Sequence, residues 1–168
     1  KQFVLLKKCI AKAKRLAEER DLIQFLFPLL MIELKSSISF RSTGEILKKI
    51  SSEQIAKIAD DCRRLIELRR LSLRFWNIIH TKDSVTAKEK KQLKQIAKET
   101  LRVYKKAKSG YSISKETANV LGLCWRFAEE PEKSYLWRKK LVAMHEKEKK
   151  FLHERSAEYI VSIGNLMN

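Results

Sequence analysis

Only four glycines and two prolines punctuate the 168 residues of this chain. Tight turns, bulges and helix ends draw on these two residue types, so a sparse supply favours long uninterrupted helices. Apolar residues recur at three- and four-residue intervals, and no segment sustains the alternation of a half-buried strand. The expected fold class is all-α, with about seven to nine helices packed as stacked hairpins. An apolar content of 44% gives such helices a core to bury, and the length suits one helical domain over 1–168.

The first expected helix is Phe3–Glu19, with Phe3, Leu6, Ile10, Ala13, Leu16 and Ala17 on one face. Asp21 is placed to cap Leu22–Lys35, within which Pro28 must kink the helix or open a new first turn. Ser42-Thr43-Gly44-Glu45 is a capping-box pattern for a short helix ending near Ile50. Ser51-Ser52-Glu53-Gln54 repeats it ahead of Gln54–Glu67, and a second apolar stripe runs on over Leu68–His80. Thr86-Ala87-Lys88-Glu89 is a third box, opening Lys88–Lys108, which Ser109-Gly110 is expected to end as a C-cap. Ser114–Ala128 follows, then a helix from Pro131 through Lys150, then Ser156–Met167.

Lysine and arginine number 37 against 20 acidic residues, a formal charge of +17. That much self-repulsion calls for an anionic counterpart: nucleic acid, an acidic membrane surface or an acidic protein. Helix Lys88–Lys108 separates its faces. Leu93, Ile96, Ala97, Thr100, Val103, Tyr104 and Ala107 share one side; Lys91, Lys94, Lys98, Arg102 and Lys105 share the other, within about a quarter-turn. Steps of three or four residues, on the order of 4.5–6 Å along the axis, are comparable to the spacing of successive phosphates. Arg63, Arg64, Arg69, Arg70 and Arg74 form a second cluster, and Arg138, Lys139, Lys140, Lys147, Lys149 and Lys150 a third. Arginine adds bidentate phosphate contacts. Trp76 and Trp125 lie beside these clusters, where a ring can stack on an unpaired base or fill the core. The alternative class is a protein scaffold docking neighbouring subunits through Leu26, Phe27, Leu29 and Met31.

Catalytic patterns are missing from the sequence. Gly44, Gly110, Gly122 and Gly164 are isolated, so no phosphate loop exists. His80, His145 and His153 are expected at the surface, without metal-ligand spacing. Cys9, Cys62 and Cys124 lack a CxxC pair and suit small buried side chains in a reducing compartment. The expectation is a binding protein, not an enzyme, with no metal, cofactor or small-molecule substrate. Lysines interrupt KQFVLLKKCIAKAKRL too often for a signal peptide, and Leu22–Leu34 is too short to span a bilayer. The chain opens on Lys1, as expected of a cut or processed segment.

An offset of 62 residues sets SSEQIAKIADDCRRLIELRRLSLRFWNII over ISKETANVLGLCWRFAEEPEKSYLWRKKL. Ser52, Ala56, Cys62, Arg64 and Glu67 meet Ser114, Ala118, Cys124, Arg126 and Glu129. Phe75 meets Trp137, and Ile79 meets Leu141. This describes a repeated unit of helix, turn and helix, approximately 52–80 and 114–147, joined by the basic helix 88–108. At Ile55, Ala56, Ile58, Cys62, Leu65, Phe75 and Ile79, and at Ala118, Val120, Cys124, Phe127, Trp137 and Leu141, the chain resembles the helical-hairpin repeats of organellar RNA-binding proteins, the heptatricopeptide and FAST-kinase-domain type. That resemblance implies RNA, rRNA in particular, as partner within a ribonucleoprotein such as a mitochondrial ribosome, with the mitochondrial matrix as location. A second resemblance lies in Leu121, Gly122, Trp125, Lys133 and Tyr135, which look like the second and third helices of an HMG box and imply DNA binding by minor-groove wedges. The Pro-x-Asn-Ala-Phe entry of such boxes is missing here.

Overall fold

A computed structural model of the chain describes residues 2–39, 52–80, 84–105, 110–147 and 156–167. Within them the chain is all helical, without strands: α1 (Gln2–Glu19), α2 (Ile23–Ser39), α3 (Ser52–Ile79), α4 (Ala87–Lys105), α5 (Tyr111–Phe127), α6 (Pro131–Lys147) and α7 (Ser156–Met167). They fall into two compact units, Lys1–Leu65 and Ile66–Asn168.

In the first unit α1 packs on α2, with Ile10, Ala17, Ile23, Leu26 and Leu30 buried. Leu30 is joined by Ile55 and Ile58 of α3, and Cys62 Sγ donates to the Ile23 carbonyl at 3.1 Å. Lys14 and Glu33 tie α1 to α2 at 2.7 Å. Asp21 lies two residues before the first residue of α2, Ile23. It takes a left-handed φ of 50° after α1, while its N–H donates to Glu18 O and that of Leu22 to Ala17 O at 2.8 Å. This is a Schellman stop, with aspartate where glycine is usual, so Asp21 ends α1. Pro28 lies inside α2 and opens no new helix. Leu26 is buried, whereas Phe25, Met31 and Ile32 of α2 are exposed.

The second unit stacks α4 on α5, α5 on α6, and α6 on α7. The α5–α6 pair is antiparallel: Tyr111 meets His145 while Ser134 meets Gly122. The α6–α7 pair is too, since Arg138 reaches Asn165 and Glu146 reaches Tyr159. Leu68, Leu71 and Phe75 of α3 and Leu93, Ile96, Ile113, Val120, Leu121 and Cys124 of α4 and α5 are buried. Phe75 lies 5.7 Å from the Phe127 ring.

Across the 62-residue offset the two segments differ. Residues 111–147 form a hairpin whose turn at Ala128–Glu130 is a second Schellman stop, with Glu129 at φ 58° and the Glu130 N–H donating to Trp125 O at 2.9 Å. Residues 52–79 form one continuous helix. The cause is local. Pro131 cannot continue α5 and opens α6, whereas the matching position holds Arg69, a good helix former. Gly110 also differs from expectation: at φ −65° and ψ 170° it is the extended residue before α5, not a left-handed C-cap of α4. The capping box at 42–45 lies outside the described residues.

Candidate nucleic-acid interface

Helix α4 begins as its sequence demands. Glu89 Oε2 accepts from the Thr86 N–H at 2.9 Å and from the Thr86 hydroxyl at 2.7 Å. Leu93, Ile96, Ala97, Thr100 and Val103 form the buried face, and Thr100 closes its hydroxyl on Ile96 O at 2.9 Å. The opposite face is therefore presented outward. Lys91, Lys98, Arg102 and Lys105 are exposed and make no ion pair among the described residues. Successive members are about 10.5, 6 and 4.5 Å apart along the axis at about 1.5 Å per residue. Lys98, Arg102 and Lys105 are thus the closely spaced set, and they sit toward the helix C-terminus, where positive charge suits the helix dipole.

The ridge is bordered by neutralised pairs. Lys94 is held by Glu130 at 2.6 Å, and Lys90 by Glu129 at 2.5 Å. On the other flank Arg74 of α3 bridges to Glu99 at 2.6 Å. Partial burial pushes the Glu99 pKa up, but hydrogen bonds from Gln95 and Arg74 and the charges of Arg74 and Arg70 outweigh it, so the carboxyl stays below its ordinary range. The structure thus brings Arg70 and Arg74 to the flank of α4. Arg69 is exposed on the same helix.

The remaining expected contacts separate. Arg63 and Arg64 both close on Asp60, Arg63 at 2.7 Å; hydrogen bonds from Arg64 and then Arg63 hold that carboxyl below its usual range. Arg138 is not a surface ligand. It is 7% exposed, with its stem against Gly122 and one guanidinium nitrogen donating to Asn165 O, because its helix position faces α5 and α7. Lys139 and Lys147 are exposed. Lys140 lies 4.7 Å from the Trp137 centroid and 4.9 Å from that of Tyr104, a cation held over two rings. Lys149 and Lys150 lie outside the described residues.

Trp125 is buried and Trp76 is 47% exposed, so of the two only Trp76 offers a ring to solvent. His145 is buried, against expectation, with its Nδ1 2.9 Å from the Tyr111 hydroxyl. Cys9 is exposed, also against expectation; Cys124 is buried. Arg126, which spacing arguments passed over, is exposed beside the buried Arg138. Its one sequence signal was the match to Arg64.

No protein family, curated protein or solved structure matches this chain. Among the described residues, no helix is long and apolar enough to cross a membrane.

Proposed function

We propose that this protein binds RNA through the phosphate backbone, with little base specificity, as a subunit of a ribonucleoprotein. The observation that carries the reading is the outward row of Lys91, Lys98, Arg102 and Lys105, unpaired among the described residues in a chain of net charge +17. A helix face interleaved with acids would neutralise itself. This one leaves its charge available, and each phosphate it meets releases counterions. Arg70 on the flank extends the row with a guanidinium able to fork onto a phosphate.

Four phosphate contacts give an affinity that falls with salt at a log–log slope of roughly −3 to −4. Fluorescence anisotropy on a structured RNA at several salt concentrations measures it. Lys91→Glu, Lys98→Glu and Arg102→Glu together are expected to weaken binding severely and to bring the slope toward about −1. Unchanged affinity and slope in the triple variant reject the proposal.

A second reading is DNA binding of the HMG-box kind. It is favoured by the α5–α6 hairpin, which spans the residues that carry that resemblance. Leu121, Gly122 and Trp125 are buried in it, and exposed Leu136 and Tyr135 are its candidate wedges. Tighter binding to duplex DNA than to RNA, lost in Leu136→Ala, selects this reading.

A further inference from the structure

We propose that the cavity between Arg126 and Arg138 is a binding site for a phosphomonoester carried on a body of nucleoside size. The site is separate from the α4 ridge and does not rest on it. It begins with Gly122: a Cβ there would come within 3.1 Å of Arg138 Cγ, so glycine lets the arginine stem lie flat on α5. Ser134, one helical turn earlier on α6, donates to the Gly122 carbonyl at 2.8 Å and fixes the register. The guanidinium is thereby drawn inside. Its Nη1 donates to Asn165 O, and its Nη2 is buried with no acceptor.

No carboxylate among the described residues answers this charge. Glu129 lines the same cavity but is bridged to Lys90 and is 72% exposed. The neighbouring charge is another cation. Burial first, and then the positive charge of Arg126, both work against the ionised form of Arg138. A buried guanidinium facing a second one is costly for a fold to keep without a counter-anion. The two line a cavity of about 580 Å³ with Pro131, Tyr135 and Leu166 as apolar walls, within the size range of small-molecule sites.

Charge matching selects the ligand class. Two arginines call for a dianion. A phosphomonoester carries about −1.5 to −2 at neutral pH, whereas a carboxylate or an internal phosphodiester carries only a single charge. Arg126, at the exposed side, supplies the direct fork of donors, and Arg138 supplies fixed charge at the floor. The apolar walls receive an organic body, which a bare ion would leave uncovered. A free mononucleotide and the phosphorylated end of a strand share this chemistry.

The test is calorimetric titration of the full chain with adenosine 5′-monophosphate and with adenosine. The monophosphate is expected to bind roughly tenfold or more tighter than adenosine, and Arg126→Ala, an exposed change, to erase that difference without lowering the apo Tm. Arg138→Met is expected to raise the apo Tm and remove the response; a lowered Tm with monophosphate binding retained overturns the proposal. So does a monophosphate that binds no better than adenosine, or an Arg126→Ala protein that binds it as before. The Lys91, Lys98 and Arg102 reversal is expected to leave monophosphate affinity intact, so failure of the ridge and failure of the pocket are read separately. A 5′-phosphorylated tetranucleotide that gains over its 5′-hydroxyl form as the monophosphate gains over adenosine assigns the pocket to strand ends. A gain for the monophosphate alone assigns it to free nucleotide.

Discussion

Lys94 Nζ lies 2.6 Å from Glu130 Oε1, and Lys133 reaches the other oxygen of the same carboxylate at 3.0 Å. The pair fastens the flank of α4 to the α5–α6 turn and withdraws from the ridge the one lysine that would have made its spacing even. Hydrogen bonds from Lys94 and then Lys133 hold the Glu130 carboxyl below its ordinary range. Because the folded value is depressed, the pair's contribution is present above the unfolded pKa and is lost as pH falls through the folded one. Glu130→Gln is therefore expected to free Lys94 and steepen the salt dependence of RNA binding by about 0.7–0.9 in slope. Anisotropy at graded salt decides it, and an unmoved slope places Lys94 out of reach of the RNA.

The cysteines predict an order of reactivity. Burial pushes the Cys124 thiol up to about 12, and the thiolate is the reactive form. At pH 8, exposed Cys9 is expected to label with a maleimide first, half-buried Cys62 more slowly, and Cys124 only on unfolding. Since the unfolded thiol ionises near about 8.5, the unfolded chain holds fewer protons than the native one above that pH. Stability should therefore fall between about 8.5 and about 12 as pH rises. Mass spectrometry after timed labelling reports the order; rapid modification of Cys124 in native buffer would falsify its burial.

Glu129 occupies a left-handed position at φ 58°, which costs a side-chain-bearing residue roughly 1–2 kcal/mol. Glycine relieves that strain but adds unfolded-state entropy and forfeits the Lys90 pair. Glu129→Gly is expected to be neutral or stabilising by up to about 1 kcal/mol. The same exchange at exposed Glu67, inside α3, should cost about 0.5–1 kcal/mol. In urea melts Glu67→Gly is predicted to lose stability and Glu129→Gly to lose none, and equal losses would contradict the turn geometry.

Phe75 is 0% exposed, whereas adjacent Trp76 is 47% exposed with its ring 5.1 Å from Phe75. Phe75→Ala should cost about 3–5 kcal/mol in chemical denaturation. Trp76→Ala, at a half-exposed ring, should cost far less. A large stability loss in Trp76→Ala would assign that ring to the core.

The sequence by itself determined the helical class, the α4 capping box at Thr86 and Glu89, the start of α6 at Pro131, and the division of α4 into apolar and cationic faces. Each depends on neighbours within a few residues, where periodicity and capping chemistry act directly. Asp21 shows where local reading ends. The sequence offers it as a cap for the helix that follows, and only the backbone turn to positive φ shows that it ends α1. The 62-residue match carried the apolar phase of two segments but not their breaks, because one proline against one arginine separates a hairpin from a continuous helix. Which cations stay free was decided in three dimensions. Lys94 and Arg138 sit in basic runs like any other, yet one meets a carboxylate 36 residues away and the other is drawn beneath Gly122 and Asn165. Charge is read residue by residue along a chain, but its neutralisation and burial depend on which helices pack together.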